Sequence, residues 1–284
     1  MEIKTVGVVG CGLMGSGIVE LCAKKGYAVI VREINKEFLN KGLERIKTSM
    51  ERGVKGGKLT TEERDAAWAR IKGTTEMQDL AQIDLAVEAA IENLELKKGI
   101  FEELDRITRP EVILASNTSS LAVTEMASKT RRPDKVIGLH FFNPVPVMPL
   151  LEMVRTFLTS EETYQTTRKW GEGLGKTIVV SKDAPGFIVN ALLIPYVLDA
   201  VRMYENGFAS KEDIDTGIKL GLNHPMGPLT LLDFVGLDTT LFIADEMFKE
   251  TKDSRYAAPN LLRRMVTAGY MGRKSGKGFY DYSK

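Results

Sequence analysis

His140 ends the apolar run Val136-Ile137-Gly138-Leu139, and Phe141-Phe142-Asn143-Pro144-Val145-Pro146 follows it. An apolar run followed by a proline-rich reversal predicts a strand that carries the imidazole at its end. Glu152 lies twelve residues further on, in the next strand-like run. If the two strands are neighbours, its carboxylate meets one ring nitrogen, fixes the tautomer and stabilises the imidazolium. Such an imidazole suits general acid/base work on an alcohol–carbonyl couple. The alternative is a packed, hydrogen-bonded core histidine. The only other histidine, His224 between Asn223 and Pro225, reads as structural. No cluster of His, Cys and carboxylates is spaced to bind a metal, so the proton is expected to be handled by side chains.

A second constellation lies near the start of the chain. Residues 3–9 form a β-branched run that leads into Gly10-Cys11-Gly12-Leu13-Met14-Gly15. A helical segment follows to Lys25, then Gly26 and a second strand-like run. An acid, Glu33, stands eighteen positions after Gly15. Gly10 would make a tight turn, Gly12 would let the backbone approach a pyrophosphate, and Gly15 would let helix and strand pack closely. The helix N-terminus would offer its N–H groups and dipole to phosphates. Strand, turn, helix, strand and acid together predict a dinucleotide site. Glu33 would take the adenine-ribose hydroxyls, and Arg32 beside it is an alternative partner for a 2′-phosphate.

These residues need a scaffold. Strand-like runs at 3–9, 28–32, 85–88, 112–116, 136–141, 150–154 and 177–180 alternate with helical stretches. That predicts an α/β, Rossmann-type, doubly wound and mostly parallel sheet over residues 1–182. The carboxyl ends of its strands, where His140 would sit, are where such sheets hold ligands. Two helical segments, 36–52 and 60–72, insert as a helical hairpin, and Thr60 with Glu63 spells a capping box. Between them Gly53-Val54-Lys55-Gly56-Gly57-Lys58 reads as a basic turn, either a solvated loop or a phosphate-contacting flap. Residues 183–284 show no further strand pattern and read as a smaller all-helical domain. Pro185 is expected in the first turn of its first helix, and Pro195 inside that helix as a kink. Gly171-Glu172-Gly173-Leu174-Gly175-Lys176-Thr177 only imitates a phosphate loop, because Trp170 stands at its first glycine and the stretch precedes a strand.

Bulk properties narrow the class. The chain of 284 residues has a formal net charge of +1, which gives no footprint for nucleic acid. No eighteen-residue apolar stretch predicts a membrane span. The expected first strand leaves no room for a signal peptide. Cys11 and Cys22 are about three helical turns apart, beyond disulfide reach, and fit a reducing cytoplasm.

The whole chain resembles the short-chain 3-hydroxyacyl-CoA dehydrogenases, and among them the 3-hydroxybutyryl-CoA dehydrogenases of butyrate-forming bacteria. The residues that carry the resemblance run through both halves. They are the Gly10 to Gly15 turn, Glu88-Ala89-Ala90-Ile91-Glu92-Asn93, Ala115-Ser116-Asn117-Thr118-Ser119-Ser120, and His140 through Met148. Pro185-Gly186-Phe187-Ile188-Val189-Asn190, His224-Pro225-Met226-Gly227-Pro228 and Gly276-Lys277-Gly278-Phe279-Tyr280 complete the set. The resemblance implies NAD as cofactor and an acyl-CoA substrate, with reversible oxidation of (S)-3-hydroxyacyl-CoA to 3-ketoacyl-CoA. It implies that His140 is the catalytic base and Glu152 its partner, with Ser119 and Asn190 holding substrate oxygens. It puts Glu92, Lys97, Asn117 and Asn143 near the nicotinamide half of the cofactor, and Lys55 in the coenzyme A contact region. It further implies a site between the two domains and a homodimer formed through the helical one. The chain departs from the family at Glu33, where Asp is usual, and at Pro149, where Lys is usual. The competing readings are a related dehydrogenase of a sugar acid or short hydroxy acid, and a non-catalytic NAD-binding protein. The basic turn speaks against the first, and the set His140, Glu152, Ser119 and Asn190 against the second.

Overall fold

The computed structural model describes residues 2–283. The chain divides into two compact units, Met1–Ala184 and Pro185–Lys284.

The first unit alternates strand and helix. In chain order it runs β1 (Thr5–Val9), α1 (Leu13–Lys24), β2 (Ala28–Arg32), α2 (Lys36–Lys55), α3 (Thr61–Trp68), β3 (Ile71–Thr74) and β4 (Leu85–Glu88). Then come α4 (Leu94–Ile107), β5 (Ile113–Ser116), α5 (Val123–Ala127), β6 (Val136–Phe141), β7 (Leu150–Arg155), α6 (Glu161–Gly173) and β8 (Thr177–Lys182). The eight strands form one sheet in the order β3-β2-β1-β4-β5-β6-β7-β8. From β3 to β6 all pairs are parallel, β7 reverses against β6, and β8 runs parallel to β7. The order reverses between β1 and β4, the switch point at which such sheets open a ligand crevice.

Alternating residues of the strands feed opposite faces. Leu85 and Val87 join a core with Ile18 and Cys22 of α1, Ile46 and Met50 of α2, and Trp170 of α6, whereas Ala86 between them does not. The central strands β4, β5 and β6 are buried throughout, which is why they read as apolar runs.

Three expectations need correction. The stretch 60–72 is not one helix: α3 stops at Trp68 and β3 forms at Ile71–Thr74 on the sheet edge. The strand depends on tertiary packing, because Leu39 and Leu43 of α2 press to within 3.2 Å of where a Gly73 Cβ would stand. Helix α2 does not end at 52. It continues through Lys55 and breaks only where Gly57 takes a φ of +66°. Pro185 is not in the first turn of a helix. Gly186 and Phe187 both have positive φ, +74° and +51°, which is incompatible with a right-handed helix, so α7 (Val189–Glu205) starts later.

The second unit is helical. After α7 come α8 (Lys211–Gly221), α9 (Pro228–Val235), α10 (Leu237–Thr251) and α11 (Asn260–Thr267). Ser210 caps α8 through the Asp213 N–H. Two buried carboxylates pin its chain end: Asp215 accepts from the Tyr280 hydroxyl, and Asp233 from the N–H groups of Phe279 and Tyr280.

Candidate functional site

The turn after β1 has the shape a dinucleotide needs. Gly10 has a φ of +98°, and a Cβ there would lie 2.6 Å from the Ala89 carbonyl oxygen. A Cβ on Gly15 would lie 2.0 Å from the Gly10 carbonyl oxygen, so the start of α1 can approach β1 only as glycine. A Cβ on Gly12 would meet nothing within 4 Å, which leaves open space over the backbone. No side chain caps α1, so the first N–H groups of the helix, at Leu13 and Met14, remain for an anion. These features fit a pyrophosphate.

Glu33 holds the turn from the side. Its carboxylate accepts from the Cys11 N–H at 2.6 Å and from the Ile34 N–H at 2.9 Å. Arg45 of α2 donates to the Cys11 carbonyl at 3.2 Å, a contact with no sequence signature. The extended backbone persists one residue past β2, where the Glu33 N–H donates to Thr74. Arg32 therefore points away from Glu33, and its guanidinium donates to the Thr75 carbonyl at 3.2 Å. The Cys11 thiol is pushed up to about 12 by burial, with the Glu33 carboxylate adding and Arg45 opposing. It is no nucleophile at neutral pH.

The imidazole lies further along the same sheet. In the antiparallel ladder of β6 and β7, His140 and Glu152 are register partners. His140 Nδ1 and Glu152 Oε2 are 2.6 Å apart, with His140 7% and Glu152 0% exposed. The Phe142 ring packs on the imidazole with centroids 4.4 Å apart. Asn117, at the end of β5, accepts the Phe141 N–H at 2.9 Å and so fixes the end of β6. Asn143 opens the reversal, joined to Pro144 by a cis peptide bond. Lys176 holds that reversal, donating to the carbonyls of Val145 and Met148 at 2.6 Å each.

Ser119 lies two residues beyond Asn117, on the loop after β5. Its N–H donates to Glu92 at 2.9 Å, and the Thr118 hydroxyl donates to the same Glu92 oxygen. Glu92 is in turn 3.2 Å from the ammonium of Lys97. Lys97 itself is buried at 1% exposure and is bonded to Glu88, which stands in the family-like segment 88–93 but has no role assigned from the sequence. A glutamate at the end of an otherwise apolar strand was the available signal.

The first unit thus brings Gly10, Gly12, Gly15, Glu33, Glu92, Lys97, Asn117, Ser119, Asn143, His140 and Glu152 to the carboxyl ends of β1, β2, β4, β5 and β6. Lys55 is exposed in the last turn of α2, not in a loop. Asn190 lies in the second unit, buried in the first turn of α7. His224 is also there, with Nδ1 3.5 Å from the Tyr196 hydroxyl. Among the described residues no helix is long and apolar enough to cross a membrane.

Comparison with known proteins adds to this geometry. Residues 5–184 match the 3-hydroxyacyl-CoA dehydrogenase NAD binding domain, and residues 186–282 the C-terminal domain of the same family. The chain is 51% identical over 282 residues to a 3-hydroxybutyryl-CoA dehydrogenase of Mycobacterium tuberculosis, covering 99% of each. It is 45% identical to a probable 3-hydroxybutyryl-CoA dehydrogenase of Bacillus subtilis, covering 100% of this chain and 99% of that one. The crystal structure of an (S)-3-hydroxybutyryl-CoA dehydrogenase from Ralstonia eutropha superimposes with a TM-score of 0.95 at 45% identity, covering both chains fully.

Proposed function

The chain belongs to the 3-hydroxyacyl-CoA dehydrogenase family, and on that premise we propose that it interconverts (S)-3-hydroxybutyryl-CoA and acetoacetyl-CoA with NAD(H). The observation that carries this reading is the His140–Glu152 pair in the sheet that also holds the Gly10–Gly15 turn. Bound at that turn, NAD(H) supplies the hydride acceptor or donor for C3 of the acyl group. His140 does the proton chemistry. Glu152 engages Nδ1, so Nε2 exchanges the proton with the oxygen on C3: it accepts in oxidation and donates in reduction. Glu152, buried without exposure, stabilises the imidazolium formed on oxidation. Ser119, with its N–H fixed by Glu92, orients the substrate oxygen, and Asn190 is assigned a second orienting role. The preferred substrate is tested by kcat/KM for acetoacetyl-CoA against longer 3-ketoacyl-CoAs. The value should be highest for acetoacetyl-CoA, and a higher value for a long chain would move the assignment.

Glu33 is assigned the adenine ribose and hence a preference for NADH. A 2′-phosphate would meet like charge and leave the carboxylate's hydrogen bonds unmade. Because Arg32 is engaged at Thr75, it offers no counter-charge on that side. Wild type should favour NADH in kcat/KM, and Glu33→Ala should reduce that preference by about tenfold. A wild type that prefers NADPH would reverse the assignment.

Lys55 is assigned to the nucleotide tail of coenzyme A. Lys55→Ala should raise KM for acetoacetyl-CoA about threefold to tenfold and flatten its salt dependence. A truncated thioester without the nucleotide should be unaffected, and equal effects on both substrates would tie Lys55 to folding instead.

The second unit carries large exposed apolar side chains at Leu192, Phe208, Leu220, Leu222, Phe234 and Phe242, which support association into a homodimer. The two buried, free cysteines suit a cytoplasmic setting.

A further inference from the structure

Glu88 closes β4 with no solvent exposure. A carboxylate in an interior parallel strand is costly unless it is paired. Its oxygens lie 2.7 and 2.9 Å from the Lys97 ammonium, and it also accepts from the Ser116 hydroxyl at 2.6 Å and the Ala90 N–H at 2.7 Å. The same ammonium reaches Glu92 at 3.2 Å. Two carboxylates therefore share one ammonium, and the group keeps one formal negative charge. The neighbouring cation on α4, Lys98, is bonded to Glu95 and Glu125 instead.

The charge has a defined place. Glu88 is the register partner of Val9 on one side and Ser116 on the other. Ala89, next in the chain, is the residue that Gly10 packs against. Glu92 holds Thr118 and Ser119, and Asn117 holds the residue after His140. The group thus lies between the turn suited to the pyrophosphate and the imidazole that moves the proton. On the function proposed above, the nicotinamide end of the cofactor must reach from that turn toward His140, across this row. The oxidised ring carries a positive charge and the reduced ring none, while the rest of the cofactor is the same. A fixed charge in a partly dry site acts on that difference far more strongly than it would in water.

We infer that Glu88, Lys97 and Glu92 form a fixed negative charge that favours NAD+ over NADH and so biases the bound equilibrium toward the 3-hydroxyacyl product. Glu92 is the member with solvent access, its side chain 22% exposed. Glu88 and Lys97 are positioning residues that hold it and set the total charge. One ammonium anchors both carboxylates without neutralising both.

The test needs no substrate. Dissociation constants for NAD+ and for NADH are measured separately by titration calorimetry on wild type, Glu92→Gln, Glu88→Gln and Glu92→Asp. Either Gln variant leaves one carboxylate against one ammonium, so the ratio Kd(NAD+)/Kd(NADH) should rise about tenfold, almost all of it from weaker NAD+ binding. Glu92→Asp keeps the charge and should keep the ratio. Should Glu88→Gln fail to fold, Glu92→Gln alone decides. Equal losses for both cofactor forms, or a ratio that also moves in Glu92→Asp, would overturn the inference and leave the group a structural clamp. Failure of the functional reading looks different: wild type would then leave acetoacetyl-CoA unreduced, whatever the ratio.

Discussion

His140→Gln should lower kcat for acetoacetyl-CoA reduction by about 10²–10⁴, the range for loss of a positioned general acid/base. The loss should fall on turnover and spare NADH affinity, because the cofactor turn is built from Gly10, Gly12, Gly15 and Glu33 at the ends of β1 and β2, with β4 and β5 between them and the strand that carries His140. Glutamine fills similar space and can still bond to Glu152, so the thermal transition should move little. Steady-state kinetics beside a direct NADH titration separates the two quantities. A variant with near wild-type turnover would remove His140 from the chemistry.

Glu152→Gln should be nearly as damaging, about 10²–10⁴ in kcat, for a different reason. The carboxylate lies fully buried, 2.6 Å from Nδ1, and on the mechanism proposed above it fixes which nitrogen carries the proton. An amide neutralises that charge. It withdraws stabilisation from the imidazolium and can present N–H instead of an acceptor to Nδ1. The pH dependence of turnover should therefore shift as well as its height, and the pH profile across neutrality is the measurement. An unchanged profile would mean that Glu152 packs against His140 without acting on it.

What could be read from the sequence follows from how directly each residue states its task. The Gly10–Gly15 turn is legible because its glycines answer steric demands, the close approach of Ala89 and of the Gly10 carbonyl, that other residues cannot meet. The antiparallel pairing of His140 with Glu152 is legible because the proline-rich reversal between two apolar runs leaves few other registers. Strand β3 is not. Ile71-Lys72-Gly73-Thr74 has one large apolar residue, and only the packing of Leu39 and Leu43 and a free edge on β2 make it a strand. The start of α7 is hidden for a related reason: Phe187 adopts a positive φ, which nothing in its side chain announces.

Within the site, the contacts that stay hidden are those made to backbone or between distant charges. Lys176 bonds two carbonyl oxygens, and Arg45 bonds the Cys11 carbonyl, so neither has a partner residue type to search for. Lys97 and Glu92 are recognisable by resemblance, whereas Glu88, the carboxylate that Lys97 holds most closely, is marked in the sequence only by its place at the end of an apolar strand. Burial is what makes it unusual, and burial is a property of the fold.

The central claim is that His140, paired with Glu152 in an NAD-binding sheet, transfers the proton in the interconversion of a 3-ketoacyl-CoA and its alcohol. It is tested most directly by mixing the purified protein with acetoacetyl-CoA and NADH and following cofactor oxidation together with the product. NADH should be consumed one for one with formation of (S)-3-hydroxybutyryl-CoA, and the His140→Gln protein should bind NADH yet consume almost none. If the wild-type protein binds NADH and leaves acetoacetyl-CoA unreduced, the site holds a cofactor without performing this reaction, and the claim is wrong.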